Sequence, residues 1–398
     1  VIKLSHRITQ VEPSPTLAIT ARAKELKAQG MDIVSFGAGE PDFDTPKPVV
    51  EAATRALQEG KTRYTPASGL MELRQAIAES YASRGRKVAA NQVIVTVGGK
   101  QALYNATQAI FDEGDRVLIP APYWVSYPAQ LRLAGAEPAI IDTRAEDDFK
   151  LTAESLRAAL DEGPCRGLIL CSPSNPTGAT YSADELRALA AVLKDFPEVV
   201  VFYDAMYDEL YYEGDIAPDL VASAPELEGR VITFNGFSKT YAMTGWRLGY
   251  AIGPVEVSAA MGTLQSQSTS NATSFAQYGA LAAFELDPAV LARRREAFAK
   301  RRDLLVGMLR AIEGVICPEP TGAFYAFPDF SAYLGEGEGK FADDLALTQY
   351  LLEEAQVAVV PGSAFGYPGG LRLSYATSET LIEEGVRRIH QALKAYAG

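Results

Sequence analysis

From about Asn91 onward the chain alternates short apolar runs with stretches of helical periodicity, and this rhythm limits the folds open to it more than any other feature. The runs 93–97, 116–119, 167–171 and 199–203 have strand length and are largely apolar on successive positions. Between them, 101–111 and 182–196 carry helical periodicity. A strand that is apolar on both faces must be covered on both faces, and helices that alternate with strands supply the cover. The expected architecture is therefore α/β, a large domain with a mostly parallel, doubly wound sheet. The further runs 231–234 and 248–252 are joined without an evident crossover helix, so one of them is expected to run antiparallel.

The pattern changes beyond Asp287 and Pro288 to a long charged helix over 289–312, short strands at 324–327, 357–360 and 371–375, and a closing helix from Ser378. These predict a second, smaller α+β domain. Upstream, Ser14 and Pro15 open a helical pattern that runs to Gln29 and stops at Gly30. The segment 37–43 is too rich in glycine and turn formers for a regular element, and Pro46 opens the next helix. The expected division is an N-terminal arm, 1–44, that joins the small domain; a large ligand-binding domain, 45–287; and a small C-terminal domain, 288–398. The glycine- and glutamate-rich stretch 335–339 is expected to be an acidic surface loop.

Composition removes several classes of function. A formal net charge of −13 disfavours nucleic acid and anionic membrane as partners, since both require a basic surface. Three cysteines, Cys165, Cys171 and Cys317, form no CxxC pair; they predict core thiols in a reduced, cytoplasmic protein rather than a disulfide framework or a zinc site. His6, Arg7 and Glu12 stand where a secretory signal needs an apolar core, and no apolar run approaches the ~18 residues of a membrane span. With only two histidines, His6 and His390, a Ser-His-Asp triad or a histidine metal site has little material. No GxGxxG follows a strand, and no Walker spacing surrounds Lys340.

The chemistry concentrates at strand ends. Lys239 precedes Arg247 by eight residues in the link between runs 231–234 and 248–252. A Schiff-base lysine needs a stiff turn, and a nearby guanidinium can hold a phosphate through paired hydrogen bonds, so this spacing suits a pyridoxal phosphate site. Taken alone, Lys239 would be one more solvated lysine, but Gly236, Gly245 and Gly249 and the apolar flanks argue for a built turn. Run 93–97 leads into Gly98, Gly99 and Lys100 and then a helix. That is either a plain strand-to-helix turn or an anion cradle made of free N–H groups, and Lys100 favours the cradle. Asn175, between Pro173 and Pro176, follows the third run, and Asp204 and Tyr207 follow the fourth, all at carboxyl ends where doubly wound sheets bind ligands. A buried carboxylate at Asp204 needs a positive partner, and a protonated pyridine nitrogen is a fitting one. Asn175 also fits an ordinary Asx turn, and Tyr207 also fits core packing.

In chain order the motifs are 37–43 (GAGEPDF), 63–66 (RYTP), 98–103 (GGKQAL), 122–124 (PYW), 175–178 (NPTG), Asp204 with Tyr207, Ser238-Lys239 with Arg247, and 372–374 (RLS). Together they resemble the fold-type I pyridoxal phosphate enzymes, specifically the class I aminotransferases of the aspartate aminotransferase family, across essentially the whole chain. The resemblance implies pyridoxal 5′-phosphate as cofactor, Lys239 as its Schiff-base lysine, and Arg247, Ser238 and the Gly99-Lys100 backbone as phosphate ligands. It implies that Trp124 stacks on the ring, that Asp204 keeps the ring nitrogen protonated, and that Asn175 and Tyr207 bond the phenolic oxygen. Arg372, with Asn175, Trp124 and the Gly39 backbone, would hold the substrate α-carboxylate. Tyr64 is similar to a tyrosine that reaches the neighbouring subunit's phosphate, which implies a homodimer with shared active sites. Two positions depart from relatives: Ala205 follows Asp204 where a glutamate is common, and Gly236 stands where some carry a phosphate-binding serine.

The reaction expected by resemblance is ping-pong transamination between aspartate or glutamate and 2-oxoglutarate or oxaloacetate. No arginine stands in 266–274, where many family members carry the one that holds the distal carboxylate. Lys100, with hydroxyls near Ser14 and Thr16, resembles the substitute used by a bacterial subgroup. Alternatives are a broad or aromatic transaminase and a C–S β-lyase on the same fold. A non-enzymatic alternative, a transcription regulator built on an aminotransferase-like domain, is not expected, because this sequence leaves no room for an N-terminal DNA-binding module and carries the wrong charge for one.

Overall fold

Strands that are apolar on successive residues must be shielded from water on both sides. The computed structural model, which describes residues 2–13 and 15–397, meets that requirement. Its strands in chain order are β1 (Val34–Ser35), β2 (Val93–Thr96), β3 (Arg116–Ala121), β4 (Glu137–Asp142), β5 (Gly167–Cys171), β6 (Val200–Asp204), β7 (Val231–Gly236), β8 (Gly249–Ile252), β9 (Tyr325–Ala326), β10 (Val357–Ala358), β11 (Val360–Pro361) and β12 (Leu371–Ser374). Seven of these form one sheet in the order β2-β8-β7-β6-β5-β3-β4. Adjacent strands from β4 to β7 in that order pair parallel, while β8 lies antiparallel to both β2 and β7. The reversal follows from the β7–β8 link, which holds one 3-10 turn, Thr244–Trp246, and no crossover helix.

Side-chain alternation sends successive residues of each strand to opposite cores. Leu168 and Leu170 of β5 and Val201 and Tyr203 of β6 pack with Leu156, Leu160, Leu186 and Leu189. Ile169 and Phe202 instead pack with Leu103, Ala106 and Leu131 on the other face. The covering helices Ala153–Asp161 and Ala183–Leu193 thus oppose Gly99–Ile110 and Ser126–Ala134. Each fully buried aliphatic side chain contributes about 1.5–3 kcal/mol in area terms.

Two departures from the sequence reading have simple causes. Strand β4 escapes it because an edge strand need not be apolar throughout: only Ile141 is buried, Pro138 is tolerated, and Ile140 is exposed. The run 357–360, expected as one strand, is two, because the chain changes partners at Val359. β10 pairs parallel with β1, whereas β11 pairs antiparallel with β12, which in turn pairs with β9. The helices Pro288–Arg310 and Glu379–Ala397 close over this sheet through Phe298, Leu305, Leu309, Ile382, Val386 and Ile389. Pairing of Val34 with Val357 ties the N-terminal segment to this second core. The helix Pro15–Ala28 packs there through Ala23 and Leu26 against Ile33, Leu352 and Ala358.

Candidate active site

Parallel strands deliver their carboxyl ends to one edge of a sheet, and here those ends surround a cavity of about 580 Å³. Asp204 is the last residue of β6 and Cys171 the last of β5. β2 leads into Gly98 and Gly99, and β7 leads into Ser238 and Lys239. Because β8 runs backwards, Arg247 just before it returns to the same edge.

The β7–β8 link is braced from both sides. Trp246 Nε1 donates to Thr45 Oγ1 (3.1 Å), Thr244 Oγ1 donates to Glu40 Oε2 (2.8 Å), and Arg247 Nη1 donates to the Thr244 carbonyl (2.8 Å). Half-buried Lys239 donates from Nζ to the Gly39 carbonyl. Burial, then Arg372 and Arg247, lower its pKa to about 8, against the opposing pull of Glu40 and Asp204. An amine with that pKa is substantially neutral near pH 8 and can act as nucleophile or base.

Gly98 adopts φ +76°, and a Cβ there would lie 2.6 Å from Arg247 Nη2, so only glycine lets the guanidinium approach the amino end of helix Gly99–Ile110. Free N–H groups, a helix dipole and Arg247 converge there on an anion position, with Ser238 buried in the same cavity wall. Lys100 Nζ lies 5.0 Å from the Trp124 ring centre. Burial and then Arg247 lower its pKa. Gly236, where some relatives carry serine, is explained by crowding: a Cβ would lie 2.9 Å from Gly249 Cα and 3.1 Å from the Leu248 carbonyl.

Asp204 is buried. It accepts hydrogen bonds from Tyr127 Oη (2.7 Å) and the Met206 amide (3.1 Å), and no cation sits within ion-pair distance among the described residues. Burial raises its pKa, and the two hydrogen bonds and Lys239 counter that rise. Tyr207 Oη is 3.1 Å from Tyr325 Oη. Arg372 is buried between the rings of Tyr325 and Phe365, at 4.6 and 5.1 Å. Its Nη1 donates to Asn175 Oδ1 (3.0 Å) and its Nη2 to the Gly37 carbonyl (3.2 Å), while Nε has no partner. Burial lowers its pKa, and no carboxylate pairs with it among the described residues. A buried guanidinium held only by neutral acceptors is prepared for an incoming carboxylate.

The cavity brings together Thr16, Gly39, Gly99, Lys100, Trp124, Asn175, Asp204, Tyr207, Ser238, Lys239, Arg247 and Arg372. Tyr64 is not among them; it is 91% exposed and lines a separate surface hollow with Arg63 and Asn271. Ser14 lies outside the described residues. Sequence reasoning missed Tyr127 and Tyr325. Tyr127 stands three residues after Trp124 and was legible only as helix packing, and Tyr325 sits inside an apolar strand run. The expectation of three core thiols needs correction: Cys165 and Cys317 are buried, but Cys171 lines the cavity because its strand ends there.

Comparison with known proteins bears on this arrangement. Residues 31–389 match the family described as aminotransferase class I and II. The chain is 49% identical over 390 residues to the aspartate/prephenate aminotransferase of Cereibacter sphaeroides, covering 97% of each. Among solved structures, the aspartate aminotransferase from Rhizobium meliloti superposes with a TM-score of 0.94 at 42% identity, covering 99% of both chains. The aspartate aminotransferase from Thermus thermophilus with maleate does so at 0.91 and 42%, covering 98% of this chain and 100% of the other.

Proposed function

The chain belongs to the class I and II aminotransferases, and from that premise we propose that it is a pyridoxal-phosphate-dependent aspartate aminotransferase working with 2-oxoglutarate and oxaloacetate. The carrying observation is the cavity that holds Lys239 together with Asp204, which has no cation within ion-pair distance among the described residues, and Arg372, which has no carboxylate there. This donor set fits the cofactor: an anion position at Gly99, Ser238 and Arg247, a buried acceptor for a ring N–H at Asp204, and an amine with pKa near 8.

When bound, pyridoxal phosphate supplies an aldehyde that bonds amines and a ring that takes up the electron pair released at the amino acid α-carbon. The Gly99 and Lys100 amides, Ser238 and Arg247 would hold the phosphate. Asp204, its carboxylate oriented by the hydrogen bond from Tyr127, would hold a proton on the ring nitrogen. Trp124 would stack on the ring, and Asn175 and Tyr207 would hydrogen-bond the phenolic oxygen. Arg372, with Asn175 and the Gly39 backbone, fixes the substrate α-carboxylate. Lys239, neutral at mildly alkaline pH, takes the proton from the substrate α-carbon.

Lys100 is the proposed partner of the distal carboxylate, with Thr16 also in the cavity wall. Maleate, a dicarboxylate named with the Thermus thermophilus relative, supports a site for two carboxylates. We further propose a homodimer in which exposed Tyr64 completes the partner's phosphate site. The function is tested by single half-reactions of wild type and Lys100→Ala with aspartate, glutamate, phenylalanine and alanine as donors, and with 2-oxoglutarate and prephenate as acceptors. Wild type should prefer the dicarboxylates, and the variant should lose that preference while keeping its alanine rate. Equal loss for every donor would return Lys100 to the cofactor phosphate, and release of pyruvate from a cysteine conjugate without an acceptor would favour the lyase.

A further inference from the structure

The helix Pro15–Ala28 lays one face along the cavity, where Thr16, Thr20, Ala23, Lys24 and Lys27 form the wall. Their three- and four-residue spacing keeps them on one side of the helix. Thr20 marks the inner end: a Cβ on Gly37 would lie 3.8 Å from Thr20 Oγ1, and the Gly37 carbonyl accepts from Arg372. At about 1.5 Å of rise per residue, Lys24 and Lys27 stand roughly 6 and 10 Å further along the axis. Leu26 and Ala23 anchor the helix to the second core, so the two ammonium groups rise from a fixed base.

Their electrostatic surroundings are unusual for this chain. Neighbouring Arg22 and Glu25 neutralise each other at 2.8 Å, and Asp32 is taken by Arg388. Lys24 and Lys27 have no carboxylate partner within ion-pair distance among the described residues. Setting aside Lys239, Arg247 and Asp204, which the proposed cofactor engages, the cations Lys24, Lys27, Lys100 and Arg372 share the cavity lining with one carboxylate, Glu40, among the described residues. The chain as a whole carries −13. A concave wall that is predominantly positive focuses its field outward, so an anion repelled elsewhere meets attraction where Lys24 and Lys27 stand exposed at its edge.

We infer that Lys24 and Lys27 form a cationic approach that draws dicarboxylate substrates into the cavity and favours them over substrates of lower charge. The inference rests on the dicarboxylate reading above and adds a selection made before the substrate reaches Arg372 and Lys100. The spacing of about 6–10 Å is comparable with a Debye length of ~10 Å at 0.1 M salt, so the effect must depend on ionic strength.

The test uses holoenzyme carrying Lys24→Glu and Lys27→Glu together, with the Lys24→Gln, Lys27→Gln pair as the neutral step. Half-reactions are followed with 2-oxoglutarate (two negative charges), pyruvate (one), aspartate (net one) and alanine (net zero) from about 0.01 to 0.5 M salt. For 2-oxoglutarate, kcat/KM should fall by about tenfold at ~0.1 M and further at ~0.01 M, from Coulomb's law with screening. Pyruvate and aspartate should show about half that effect on a logarithmic scale, and the glutamine pair about half the effect of the glutamate pair. Alanine should be unmoved, kcat should hold for all four, and the differences should close at high salt. No loss for 2-oxoglutarate, or a loss that is equal across the four and indifferent to salt, would overturn the inference. Wild type that fails to use 2-oxoglutarate or aspartate at all would instead overturn the proposed function.

Discussion

Arg372→Ala probes the site most directly, because the size of its effect follows from the geometry. A guanidinium has five N–H donors, and here one goes to Asn175 Oδ1 and one to the Gly37 carbonyl, while Nε has none. Donors therefore remain free on a buried cation that has no competing carboxylate among the described residues. A substrate carboxylate would take two of them in a fork, and truncating one member of such a buried pair costs roughly 2–5 kcal/mol. At about 1.4 kcal/mol per tenfold, kcat/KM for aspartate should drop between roughly thirtyfold and a few thousandfold. The loss should be selective, since β-alanine retains aspartate's distal carboxylate but has no α-carboxylate to lose. Single-turnover half-reactions with both donors supply the comparison. Arg372→Lys keeps the charge without the fork and should fall between. The two variants should also part company in pH dependence. Arg372 is the strongest charge lowering Lys239, so the alanine variant should raise the Lys239 pKa above about 8 and the lysine variant should leave it near there. If β-alanine loses as much as aspartate in Arg372→Ala, the carboxylate assignment is wrong.

Three further outcomes are expected. In cofactor-free protein, Lys239 should bond an added aldehyde with a rate that climbs through a midpoint near pH 8, because its neutral fraction at pH 7.5 is roughly two hundredfold that of an ordinary lysine; a midpoint above 10 would refute the assigned burial. Asp204 has a raised pKa in the fold, so stability present below the unfolded value of about 3.9 is lost as pH rises through the folded one. Asp204→Asn should therefore melt higher than wild type at pH 7 without cofactor, match it near pH 3, and melt lower once cofactor is bound; a lower melting temperature at pH 7 in the cofactor-free state would contradict this. Finally, mixing Lys239→Ala with Tyr64→Phe chains should yield heterodimers with one wild-type site and more activity than the Tyr64→Phe homodimer; no gain despite proven subunit exchange would remove Tyr64 from the partner's site.

Much of this protein could be read without its tertiary structure, for reasons of periodicity and backbone chemistry. Consecutive apolar residues at 167–171 and 199–203 have one economical arrangement, a strand covered on both faces, and β5 and β6 lie within a residue of those bounds. Lys239 and Arg247 were legible because a turn between two strands can place both at one sheet edge, and Asp204 because a carboxylate ending an apolar strand must find a partner. Edge strand β4 was not, since solvent relieves half its positions of any need to be apolar. Nor could the sequence divide 357–360, where the partner on each side, β1 or β12, is contributed from far along the chain. Tyr127 lies 77 residues from Asp204, and Arg372 lies 197 from Asn175 and 335 from Gly37. Local propensity carries no information about such pairs. Sequence decided which residue types could serve the chemistry, because backbone and side-chain chemistry are local. Folding decided which of them meet, because burial, charge and hydrogen-bond partners at a site are set by segments that only the packed core brings together.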